Sequence, residues 1–222
     1  MTLAELIARY RLEAKDQVAP FFVSDDEVRG FLNEAQREAC IRARLIHENS
    51  NTSVCNISVS VGKGTYKHHP ALYEITHSGF KLAGEPVRRP VSLVSSEWLD
   101  ANVRDWRDAS GTPIYAIQKD RALRLVPTPS APGTLLLEGF RTQLDDLEAK
   151  DDEPEINAIH HLHLVQWVLF RAFSIPDADI FDGKRAAVAE SAFTDYFGLR
   201  PDADLRRSTR EDVPQHVQGF WV

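Results

Sequence analysis

The chain has 222 residues, 43% hydrophobic and 27% charged, with a formal net charge of −7 from 33 acidic and 26 basic residues. That length supports one substantial core, or one core with a satellite, and the globular balance excludes disorder along the whole chain. The charge argues against a sequence-reading DNA binder: Arg88–Arg89 and the group Arg200, Arg206, Arg207 and Arg210 have acidic residues among or near them, and no basic block stands out.

A first helix is expected from the N-terminus. Thr2 and Glu5 have capping-box spacing, and Leu3, Leu6, Ile7 and Tyr10 form one apolar stripe. The segment around Val18-Ala19-Pro20 ends it. Ser24 and Glu27 repeat the capping-box spacing, with Val23 and Val28 placed as a hydrophobic staple, so a second helix is predicted over about 25–46. Asp25, Asp26 and Glu27 favour its positive end.

The period then becomes extended. Residues 54–61 alternate in part, Gly62-Lys63-Gly64 reads as a turn, and 66–68 and 72–77 supply short strands. Another turn is expected over 79–85. A helix of about two turns follows, capped by Ser95 or Ser96, with Trp98, Leu99 and Val103 as apolar contacts. A meander comes next, with strands at 114–118, 122–126 and 134–140. Leu123 and Leu125 face one side and Arg124 the other. Strands this short need a helix or a second sheet to cover one face.

The acidic stretch 145–153 reads as a solvated linker. Pro154 behind the cap Asp152 suits the first turn of a helix over about 155–174, the most apolar in the chain and therefore largely buried. Ile175-Pro176 breaks it. A last helix over about 181–197 uses Ala186, Ala189, Phe193 and Tyr196 or Phe197. Residues 199–215 are then polar, and the sequence closes on Phe220-Trp221-Val222. That pattern fits an arm that docks elsewhere, or equally a floppy terminus or one tucked against its own core.

The fold class is mainly α with a β-rich insertion: a four-helix body made from N- and C-terminal helix pairs, with the insertion projecting from one end of the bundle. The expected divisions are 1–48 and 146–198 for the two halves of the body, 49–145 for the insertion with its short helix, and 199–222 for an extended docking arm.

Motifs for chemistry are weak. His160, His161 and His163 lack HExxH spacing and a placed third ligand, so they read as satisfied or solvated helix histidines. Gly62-Lys63-Gly64-Thr65 lacks the order of a phosphate loop. The carboxylates between Asp145 and Glu155 have no calcium-loop spacing. No serine sits in GxSxG. Cys40 and Cys55 form no CxxC pair, which fits a reducing compartment; neither a signal peptide nor a membrane span is evident. No enzyme activity, cofactor or metal is expected. The interface candidates are Phe220, Trp221, Arg206, Arg207 and Arg210 in the arm, and Trp98 and Trp106 in the insertion, the two tryptophans being read first as core.

Several segments together carry a resemblance. They are Thr2-Leu3-Ala4-Glu5-Leu6-Ile7, Ser24-Asp25-Asp26-Glu27, Phe31-Leu32-Asn33-Glu34-Ala35-Gln36-Arg37-Glu38, Gly111-Thr112-Pro113, Leu123-Arg124-Leu125-Val126-Pro127-Thr128-Pro129 and the apolar run 167–173. In this order the chain resembles the head-to-tail connector, or adaptor, proteins of tailed bacteriophages over about 2–197. The resemblance implies a structural virion protein at the neck, assembled in the host bacterial cytoplasm. It implies a ring of about twelve copies around the DNA path, with portal protein on one side and a tail or head-closure protein on the other. Such a ring passes DNA through its lumen without reading it, so it needs no basic patch, and negative walls keep the polymer from sticking. The alternative is a more distal head-closure or tail-nozzle component, or another non-enzymatic scaffold protein.

Overall fold

The computed structural model describes residues 1–176 and 180–201. In chain order the elements are α1 (Leu3–Ala14), α2 (Asp25–Ala43), β1 (Ile46–Glu48), α3 (Thr52–Cys55), β2 (Asn56–Val59), β3 (Thr65–Lys67), β4 (Leu72–Leu82), β5 (Arg88–Pro90) and β6 (Ser92–Leu93). There follow α4 (Ser96–Asn102), β7 (Ser110–Gly111), β8 (Tyr115–Gln118), β9 (Ala122–Val126), β10 (Thr128–Pro129), β11 (Gly133–Arg141), a 3-10 turn (Ala158–His160), α5 (His161–Phe173) and α6 (Gly183–Phe197). N- and C-terminal helices flank a strand-rich centre, as the sequence pattern requires. Residues 1–46 and 141–201 form one compact unit, and residues 47–140 form another.

The helical unit begins with two capping boxes. The Glu5 N–H donates to Thr2 Oγ1 (3.3 Å) and the Thr2 N–H to Glu5 (3.0 Å); Ser24 and Glu27 repeat the exchange at 3.3 and 2.9 Å. Each box satisfies two N–H groups that a helix start leaves without partners. The Ser24 hydroxyl and N–H hold the Glu27 carboxyl below its usual range. One apolar cluster joins all four long helices: Leu6 and Tyr10 of α1, Leu32 and Ala39 of α2, Leu164 and Val168 of α5, and Phe193 and Phe197 of α6. Helix α5 packs against each of the other three. That is why it is the most apolar helix in the chain.

Several boundaries differ from expectation. Helix α2 stops at Ala43, where Arg44 turns left-handed at φ 52°, and Ile46 opens a strand. Helix α5 starts at His161, behind a 3-10 turn capped by Asn157, so Pro154 lies outside it. The acidic stretch is not a loose linker. Leu147 is buried, and Asn33 of α2 clamps its backbone, accepting from the Leu147 N–H (2.8 Å) and donating to its carbonyl (3.2 Å). Asp152 accepts the Glu148 and Ala149 N–H groups, and these hold its carboxyl below the usual range.

In the strand-rich unit, one sheet has the order β1-β11-β4-β5, with β2 also pairing β11, and a second has the order β3-β9-β8-β6. Residues of both sheets share one apolar cluster, including Leu72, Phe80, Leu123, Leu125, Leu135 and Leu137. On the other face of the second sheet, Ile117 and Val126 meet Leu99 of α4 and Trp106. Strands β8 and β9 are thus covered on both faces, by a sheet and by a helix, but the expected three-stranded meander does not form: β11 leaves β9 and pairs with β2 and β4 in the other sheet. Strand β4 runs on through Gly79 to Leu82, where the sequence pattern suggested a turn, because it pairs antiparallel with β5, Gly79 opposite Pro90. At Gly139 of β11 a side chain would overlap the Glu74 carbonyl of β4, so only glycine permits that approach.

Candidate interaction surfaces

Two of the sequence-derived interface residues lie in the strand-rich unit. Trp106 is only 4% exposed. Its indole N–H donates to Asp100 (2.9 Å), and the Arg107 and Arg124 guanidiniums lie 4.4 and 4.7 Å from its ring. Arg124 leaves the apolar cluster that Leu123 and Leu125 enter, and that alternation brings it to the indole. Arg107 also binds Asp100 through both carboxylate oxygens. These contacts, with the Trp106 N–H, hold the Asp100 carboxyl below its usual range. Trp98 is half-buried and meets Tyr115 at 5.3 Å. Both tryptophans thereby pack around α4. Phe220, Trp221, Arg206, Arg207 and Arg210 lie outside the described residues.

The histidines serve the helix packing. His161 is buried, with Nε2 2.9 Å from the Ile156 carbonyl. His163 stacks on Tyr196 with centroids 3.5 Å apart, and His160 Nδ1 lies 3.1 Å from the Tyr196 hydroxyl. Burial, then the neighbouring His163 and His161, depress the His160 pKa. Among the described residues, no three His, Cys, Asp or Glu side chains are grouped to hold a metal ion. Gly62, at φ 73°, makes a turn, and the Tyr66 hydroxyl closes it on the Ser60 and Lys63 carbonyls at 2.9 and 2.8 Å. Among the described residues, no helix is long and apolar enough to cross a membrane.

Two buried groups predict an alkaline weakness. Burial, reinforced by Asp16, pushes the Tyr10 hydroxyl up to about 12; burial, reinforced by Glu155, pushes the Cys40 thiol up to about 12. An unfolded chain releases these protons near pH 10 and 9, while the folded chain keeps them. Their contribution is complete below pH 9 and is lost as pH rises from there towards 12. Urea unfolding is expected to show a loss of roughly 1–2 kcal/mol between pH 7.5 and 10. Cys40→Ala should flatten that slope; an unchanged slope would show that Cys40 is not its source.

A surface that the sequence reading missed lies at one end of the helical unit, where α1 hands over to α2 and α6 begins. Phe22 (60% exposed) and Phe181 (59%) stand there beside Phe173, Ile180, Asp182 and Arg185, around a cup of about 250 Å³. Buried Asp16 positions the connection: it pairs with buried Arg11 and accepts the Phe22 N–H (3.2 Å). Arg11 also donates to Asp25 (2.7 Å), and the Phe21 ring lies 3.9 Å from its guanidinium. Asp182 caps α6 by accepting the Lys184 and Arg185 N–H groups, each at 3.0 Å. The available sequence signal was Phe21-Phe22, two large apolar residues in a connection between helices.

No curated protein matches the chain. The family model described as SU10 adaptor protein matches residues 1–217, nearly the whole length. With helix pairs flanking a strand-rich centre and a match of that extent, the chain belongs to the SU10 adaptor protein family, head-to-tail connectors of tailed phages whose part is structural and not catalytic.

Proposed function

We propose that the protein forms a ring of about twelve copies at the virion neck, joining the portal vertex to the next tail component while DNA passes through the lumen. The single observation that carries this reading is the adaptor family match over residues 1–217. Family membership supports a ring with portal and tail contacts in general; the copy number, the neck position and the DNA path are the proposed refinements. A closed ring makes every added contact effectively intramolecular, so modest surfaces suffice. The net charge of −7 fits a lumen that does not retain DNA. Residues 199–222 act as the docking arm, with Phe220 and Trp221 as anchors and Arg206, Arg207 and Arg210 as polar contacts; Trp98 and Trp106 support the insertion's own contact surface.

Electron microscopy of the protein mixed with purified portal rings tests this. A coaxial ring matching the portal in copy number is the expected result. Binding only after another adaptor is in place would move the protein to the more distal, head-closure role. Deleting residues 199–222 is expected to leave the helix content intact and to weaken portal or neighbour binding at least ten-fold; unchanged assembly would remove the arm from the mechanism.

A further inference from the structure

The cup at the α1–α2 end of the helical unit has the chemistry of a seat for one aromatic side chain. Its wall is Phe22, Phe173, Ile180 and Phe181, and its polar side is Asp182 and Arg185. A cavity of about 150 Å³ holds a benzene ring, so the roughly 250 Å³ here suits an indole and little more. The Arg185 guanidinium lies over Phe173, 3.9 Å from its centroid, and donates to the Glu13 carbonyl (3.0 Å); the residue is exposed. Its outward face can therefore take a second aromatic ring by the same cation–π attraction. The Asp182 carboxylate is an acceptor within the same cup, as an indole N–H requires. Phe22 and Phe181, each more than half exposed, are costly to leave in water beside a concave surface.

The chain itself carries a matching group. Beyond Pro201 it continues for 21 residues, which include Phe220 and Trp221. The tether starts near the C-terminal end of α6, and the cup lies at the other end of that helix, beside Asp182. Fifteen helical residues separate the two ends by about 22 Å. Twenty residue steps from Pro201 to Trp221 can reach at most about 70 Å, well beyond that span. The segment is therefore long enough to arrive at the cup of its own copy, where its binding is intramolecular.

Resting on the reading of residues 199–222 as an arm, we infer that the cup is the seat of the Phe220–Trp221 segment of the same copy. The indole lies among the phenylalanines, stacks on Arg185 and gives its N–H to Asp182. A copy outside the ring thus holds its anchor against its own helical unit, and the anchor reaches portal or tail only by leaving that seat. An arm from a second copy offers the same chemistry but lacks the covalent tether that makes binding intramolecular.

A photoreactive benzoylphenylalanine installed in place of Trp221, in the full-length unassembled protein, tests the inference. Dilute light and heavy isotope-labelled chains are mixed before irradiation, and the cross-links are mapped by mass spectrometry. The expected cross-links join position 221 to residues 14–22 or 180–185 of a chain with the same isotope label. Phe181→Glu, at an exposed position, should lower their yield at least ten-fold without changing the circular dichroism. Cross-links elsewhere, none at all, a yield indifferent to Phe181→Glu, or light–heavy links in the statistical share that pairing between copies gives would each overturn the inference. Portal imaging of the unsubstituted protein reads the ring separately, so the two can fail independently.

Discussion

Phe193→Ala is expected to destabilise the helical unit by about 3–5 kcal/mol, the usual cost of truncating a fully buried aromatic residue. Phe193 is wholly buried. Its ring meets Trp167 of α5 at 4.9 Å and Phe197 at 4.6 Å, and the Arg42 guanidinium of α2 lies 5.2 Å from it. It is therefore where α6 joins both of its partners. Truncation removes apolar contact and leaves a cavity that Trp167 and Arg42, each held by other neighbours, fill poorly. Urea unfolding followed by helix signal measures the loss. Val188→Ala, 71% exposed on the same helix, should stay within about 0.5 kcal/mol and serves as the control. A loss below 1 kcal/mol at Phe193 would show that α6 is held by something else.

The second large effect is Asp16→Ala, at about 3–5 kcal/mol. Arg11 and Asp16 are both buried and paired. Without Asp16, the Arg11 guanidinium keeps, among the described residues, Asp25 as its carboxylate partner, and that side chain is 61% exposed. The cost is that of a buried charge left short of partners, and not the smaller worth of the pair itself. Replacing both residues, Arg11→Met with Asp16→Leu, removes the uncompensated charge and should recover about half of the loss. Recovery stays partial because Asp16 also accepts the Phe22 N–H, which the double variant leaves unsatisfied. Denaturant midpoints of the two variants decide the matter. Equal stabilities would mean that the loop bond, and not the charge pair, dominates. Because Asp16 orders the connection that carries Phe22, the single variant should also reduce the cross-link yield at the cup.

The two capping boxes, the apolar stripes of the four long helices and the alternation at Leu123, Arg124 and Leu125 were legible in the sequence. Each is a local signal, set by side chains within a turn or two of one another, and local geometry decides it. The absence of spaced catalytic motifs was legible for the same reason. The ends of elements were not. Ile46 continues the helical period of α2, yet the chain turns at Arg44 into a strand; Gly79 looks like a turn, yet β5 pairs across it. Asp145–Glu155 looks like a solvated run, yet Asn33, more than a hundred residues earlier, binds its backbone.

Burial of individual aromatics was likewise undecided by sequence. Trp106 and Phe22 are both large apolar residues near a helix, but one is enclosed by Arg107, Arg124 and α4, and the other stands at the rim of a cup. By itself the sequence determined the starts of α1 and α2, the strand-rich centre and the adaptor resemblance, because short-range periodicity and capping are written in neighbouring residues. Only the tertiary structure decided where elements stop, which charges are buried and which aromatics remain available to a partner. Those outcomes depend on competition among groups far apart in the chain, and no local pattern records who wins.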